Sequence, residues 1–167
     1  VPNFNFGSVI LKAQDQTHSL ETGVTYRDIG TENSYLPPFL QILNIRGTEE
    51  GYKVNVSADK FSGVDANGKI HTLENTRIQL KDFSVRNNKL DYTGDGDVDA
   101  TSILKAPSDT FVIDGASKPI LTTVNGAETE ASISSLVFEK QYSQKKNYTN
   151  EDLKQSRSVE LYVPAKD

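Results

Sequence analysis

The chain has 167 residues, 35% hydrophobic and 25% charged, with a formal net charge of −5 and no cysteine, methionine or tryptophan. That length predicts a single domain over 1–167, and the supply of Val, Ile, Leu, Phe and Tyr separates the chain from disordered sequences. The negative charge argues against nucleic acid and against attachment to anionic lipid, the missing cysteines exclude disulfides and thiol chemistry, and no apolar run is long enough to span a bilayer.

In chain order, residues 1–11 read as a strand with Gly7 inside it, where a bulge or close backbone approach is expected. Residues 12–36 are polar and predict a long loop with one short strand near 24–26. Its tyrosines, Tyr26 and Tyr35, are candidates for exposed aromatic contacts with sugar rings or a protein partner. The stretch 38–61 organises the rest. An apolar run at 39–45 predicts a buried strand, and Tyr52, Val54, Val56 and Ala58 alternate with polar neighbours in a second strand. The connection between them holds Gly47 and Gly51, which predicts a hairpin whose turn needs positive φ. Asn67-Gly68 is a turn. Across 76–86 the apolar parity shifts between Ile78, Leu80 and Phe83, Val85, as at a bulge or corner. Further strands are expected at 111–113, 120–124, 133–139 and 159–163. One short helix is expected at 149–154, with Thr149 capping and Asp152 answering it. About eight short strands and almost no helix predict an all-β antiparallel sandwich, Ig-like or jelly-roll-like, with long loops.

The segment 91–105, DYTGDGDVDATSILK, follows the spacing of a calcium loop, with oxygen ligands at Asp91, Thr93, Asp95, Asp97 and Asp99 and Gly96 at the sharp turn. Ser102 stands where such a loop has its bidentate acid. Without bound calcium the segment reads as an Asp/Gly-rich insertion over about 87–109. An enzyme is hard to build from this chain. His18 and His71 are far apart, and there is no Gly-x-Ser-x-Gly, phosphate loop or cysteine nucleophile. Lys140, Lys145, Lys146, Lys154 and Arg157 are the residues that would form a basic patch for an anionic polymer.

The stretch NIRGTEEGYKVNVSADKF at 44–61 resembles the first signature of the WxL domain of Gram-positive cell-surface proteins. Arg46, Gly47, Thr48, Gly51, Val54, Val56 and Phe61 match it, and Tyr52 stands where that family has tryptophan. FNFGSVIL at 4–11 followed by Asp15-Gln16-Thr17 resembles the family's opening strand, 37–41 its lead-in, and SVELYVP at 158–164 a late strand. The second Trp-x-Leu motif does not follow that strand. The resemblance implies a secreted, non-enzymatic module that attaches non-covalently to cell-wall peptidoglycan or assembles with partner surface proteins, with Tyr52 and Val54 as wall- or partner-binding residues. A missing last strand implies an open sheet edge, with the expectation that a longer natural chain continues into that strand or that a protein partner supplies it. The other reading is an adhesive or glycan-binding sandwich, ordered by calcium at 91–99, that recognises host protein or polysaccharide.

Overall fold

A computed structural model describes residues 2–21, 24–27, 33–48, 50–91 and 97–167, with the side chains of all of these except 24–27 and 33–34. The first strands are β1 (Gln16–Ser19), β2 (Val24–Arg27), β3 (Asn33–Leu36) and β4 (Phe39–Asn44). Next come β5 (Lys53–Val56), β6 (Phe61–Val64), β7 (Ile70–Leu73), β8 (Arg77–Leu80) and β9 (Ser84–Asn87). Then follow β10 (Leu104–Lys105), β11 (Phe111–Ile113), β12 (Lys118–Thr123), β13 (Ser132–Val137), helix α1 (Asn150–Gln155) and β14 (Val159–Val163). Among the described residues, every strand pairing is antiparallel. The expected all-β sandwich class is what the chain adopts.

Three sheets supply the core. One runs β1-β14-β8-β11, a second β10-β12-β5 and a third β4-β13-β9; β2–β3 and β6–β7 are separate two-stranded ribbons. Leu80 and Val159 from the first sheet, Leu104 and Leu121 from the second, and Leu136 and Val85 from the third belong to one buried cluster. A bulge in β12 between Pro119 and Leu121 turns the consecutive residues Ile120 and Leu121 both inward. The strand at 159–163 is interior to its sheet, flanked by β1 and β8.

The central hairpin expected over 39–58 does not form. β4 pairs with β13 along its whole length, from Phe39↔Val137 to Asn44↔Ser132, while β5 pairs with β12. The connection is an arch that carries the chain from one sheet to another. Its carbonyls find a side chain instead of a hairpin ladder: Arg46 donates to the oxygens of Glu50 and Gly51 and to Asn44 Oδ1. Alternation fixes which face of a strand is buried, and both strands obey it. It does not fix which neighbour supplies the ladder.

The two glycines of the arch do different jobs. Gly47 has φ +71°, as the turn reading expects, and its amide donates to Glu130 Oε1 at 2.8 Å. Gly51 is needed for close approach, because a Cβ there would lie 2.2 Å from Thr123 Oγ1.

Residues 2–11 join no sheet, contrary to the expected strand. Phe4 and Phe6 do pack on the core, and Phe4 meets Phe138 edge-on at 5.6 Å. At Gly7 the backbone turns to φ +67°, which ends strand geometry there. In place of the one strand expected in 12–36 there are three among the described residues; β1 went unannounced because its sequence (QTHS) is polar and has no apolar alternation. The parity shift at 76–86 is a corner: β8 and β9 lie in different sheets, and Asp82 between them has φ 56°. Helix α1 has the expected capping box, Thr149 Oγ1 accepting from the Asp152 amide and the Asp152 carboxylate accepting from the Thr149 amide.

Candidate functional site

Sheet β4-β13-β9 has two unlike faces. Inward, Leu40, Ile42, Val85 and Leu136 pack into the core. Beside them runs a buried polar network in which Asn87 Nδ2 donates to Ser132 and Ser134 Oγ, both at 2.9 Å, and Ser132 Oγ donates to the Thr129 carbonyl. Such satisfied networks stiffen the sheet that carries them. Outward, three cross-strand pairs form a ladder: Phe39 with Val137, Gln41 with Ser135, and Leu43 with Ile133. Leu43 is 60% exposed, and Ile45, just past the end of the strand, 71%.

The segment after β13 folds back along this outer face as a wall. Arg86 on β9 donates to the Tyr142 carbonyl, and its guanidinium lies 5.9 Å from the centre of the Tyr142 ring. Tyr142 stacks on Tyr148 at 6.0 Å, and the Tyr142 amide donates to Ser84 Oγ at 3.2 Å. From the other side, Asp97 accepts from Ser143 Oγ and the Gln144 amide. Burial pushes the Tyr142 phenol above its ordinary pKa, with the neighbouring Tyr148 adding and Arg86 opposing. Between wall and sheet lie two adjoining hollows of about 260 and 410 Å³ that share Gln41, Arg86, Ser135 and Gln144. Together they form a continuous groove, in the size range of small-ligand sites.

The residues singled out in the sequence are spread over the molecule. Tyr52 and Val54 are half-buried and pack against the core. The Tyr52 amide donates to Thr123 Oγ1 at 2.9 Å, but its phenol oxygen is buried and makes no hydrogen bond. Burial raises the Tyr52 pKa; Ser134 lies near enough to ease that cost, though not in bonding geometry, and the Arg46 charge opposes it further. Tyr35 is half-buried and forms a backbone bridge with Tyr148, which puts it behind the groove wall. The side chain of Tyr26 lies outside the described residues.

Of the proposed calcium ligands, Thr93 and Asp95 lie outside the described residues. Asp91 lines the groove, Asp97 is engaged by the wall as above, and Asp99 caps its own turn by accepting from the Thr101 amide at 2.7 Å. Among the described residues no three acidic or histidine side chains come together as a cation site. The two histidines serve separate elements, His71 paired with Asp65 at 2.9 Å in the β6–β7 ribbon and His18 on β1. No helix among the described residues is long and apolar enough to cross a membrane.

The model of the WxL family, a surface cell wall-binding domain, matches residues 1–167, the whole chain. The chain belongs to the WxL domain family. No curated protein and no solved structure matches it. As a WxL domain it is a cell-surface, cell-wall-binding module, and the expectation drawn from 44–61 is met at the level of the family. The groove between β4-β13-β9 and its wall is not part of the first WxL signature, except that the signature's lead-in, 37–41, supplies Phe39 and Gln41. Sequence reading missed it because its residues come from four separated stretches. Nothing in the sequence announced it: 39–45 reads as a buried run, and the exposure of Leu43 and Ile45 emerges only in the structure.

Proposed function

We propose that this WxL domain attaches non-covalently to the peptidoglycan of a Gram-positive cell wall and performs no catalysis. Family membership over the full chain carries the reading. A stiff sheet with an exposed, ligand-sized groove on its outer face supports it. A binding module needs such a preformed surface and needs no acid, base or nucleophile held in reactive geometry.

The experiment is retention on purified sacculi, stripped of protein and secondary polymers, with and without a chelator. Saturable retention indifferent to the chelator is the expected result. Absence of retention would overturn the reading, and retention lost on chelation would favour the calcium-ordered adhesive instead.

A further inference from the structure

We propose that the groove across β4-β13-β9 is the ligand site, and that it takes an uncharged, N-acetylated hexosamine chain. This inference rests on the wall-attachment reading and says which part of the wall is held and where.

The chemistry of the lining carries the argument. The centre is amide and hydroxyl: Gln41, Gln144 and Ser135, with Asn88 toward one end. Amide side chains offer both donors and acceptors, which is what a sugar's hydroxyls and acetamido groups require. Gln41 Nε2 already donates to Ser135 Oγ across the strand pair at 3.3 Å, so the two are set in register before any ligand arrives. At either end the surface turns apolar, with Phe39 and Leu36 on one side and Ile133, paired with Leu43, on the other. A pyranose presents the same alternation, polar at its rim and C–H on its faces.

Charge selects among wall polymers. Among the described residues, Arg86 and Asp91 are the charged residues of the lining, one of each sign. A polyanionic wall polymer would need a cationic track, because repeated phosphates are held by repeated Lys or Arg. Among the described residues the lining offers Arg86 alone; Lys140, Lys145, Lys146, Lys154 and Arg157, the basic-patch candidates, are not part of it, and the whole chain carries a net charge of −5. A carboxylate-bearing stem peptide would meet the same shortage of cations. The glycan backbone is the wall component whose chemistry matches.

Rigidity fits as well. The Asn87–Ser132–Ser134 network lies under the floor, and Arg86, Ser84 and Asp97 fix the wall. A preformed groove loses little freedom on binding a stiff polysaccharide.

The test measures wild type, Ser135→Trp and the double variant Q41A/Q144A on sacculi, and by titration with a soluble N-acetylglucosamine oligosaccharide, a poly(glycerol phosphate) and a free stem peptide. Ser135→Trp fills the groove from an outward position and leaves the core alone; the double variant removes the amides without adding bulk. Wild type should bind sacculi and the oligosaccharide, and each variant should lose roughly tenfold or more on both with an unchanged melting temperature. Sacculus binding that survives both variants would overturn the groove assignment while leaving wall attachment standing. Sacculus binding lost in the variants, but with the phosphate polymer or peptide as the soluble ligand, would overturn the glycan assignment. A wild type that ignores sacculi removes the wall-attachment reading itself, and this inference with it.

Discussion

The carboxylate of Asp97 accepts the backbone amide of Gln144 at 3.0 Å and, through its other oxygen, the Ser143 hydroxyl at 2.9 Å. Residues 46 and 47 positions apart in sequence are thereby clasped, and the groove gains a fixed wall. The clasp is exposed, so its contribution to global stability is at most about 1 kcal/mol. Asp97→Ala is expected to leave the melting temperature nearly unchanged while speeding hydrogen exchange at the Gln144 amide and weakening retention on sacculi several-fold. Unaltered exchange at Gln144 in the variant would show that the wall is held by other contacts.

Tyr52 occupies the family's tryptophan position with a phenol oxygen that is buried and makes no hydrogen bond. An unsatisfied buried hydroxyl costs about 1–3 kcal/mol, and part of that returns when the oxygen is removed. Tyr52→Phe should therefore be neutral or stabilising, by up to about 1 kcal/mol, whereas Tyr52→Ala should destabilise by about 2–3 kcal/mol, because it removes a half-buried ring packed against the core. Chemical denaturation of the two variants checks both signs. A Phe variant less stable than wild type would mean that the phenol has a partner.

Leu136 sits at 0% exposure on the middle strand of the groove sheet, between Leu40 of β4 and Val85 of β9. Truncating it leaves a cavity under the groove floor. Leu136→Ala should lower stability by about 2–5 kcal/mol in denaturant unfolding. An effect under about 1 kcal/mol would mean that the sheet is not packed as described.

Several carboxylates are held below the ordinary range near 4 by hydrogen bonds made only in the folded chain. Asp15 is lowered by the Ala165 amide first and then by the Tyr162 hydroxyl, Asp114 by Lys118, and Asp152 by its cap partner Thr149. For Asp65 the lowering comes first from His71, then from the Lys69 and Asn67 amides. At Asp167 burial pulls upward, but the bonds from Thr76 and Asn75 outweigh it. A depressed folded pKa means that the unfolded chain binds more protons in acid. The stabilisation is thus complete above the unfolded value of about 4 and is lost as pH falls through the folded values. Melting temperature should be level from about pH 8 to 5 and decline below about pH 4. Asp15→Asn should lower it at neutral pH and shrink the acid decline; an identical acid decline in that variant would show that Asp15 is not linked to folding.

Much of this protein was settled by the sequence alone. Alternation at 52–58 committed Tyr52, Val54, Val56 and Ala58 to the core side, and turn chemistry at Asn67-Gly68 closed the β6–β7 ribbon, with Gly68 at φ 79°. Thr149 and Asp152 announced their helix, and the ordered fragments from Phe4 to Pro164 announced the family. These are local signals, written in side-chain period, φ preference and short-range hydrogen bonding. Strand partners were another matter. β4 and β5 are neighbours in sequence and belong to different sheets, because a ladder is made by whichever backbone the whole core brings alongside, and each strand's own pattern accepts many. The groove followed from those pairings. Only when β13 runs beside β4 does Ser135 meet Gln41, and only when 97 clasps 143–144 does Gln144 face them, since contacts between residues about 90 and 50 positions apart leave no trace in the local pattern.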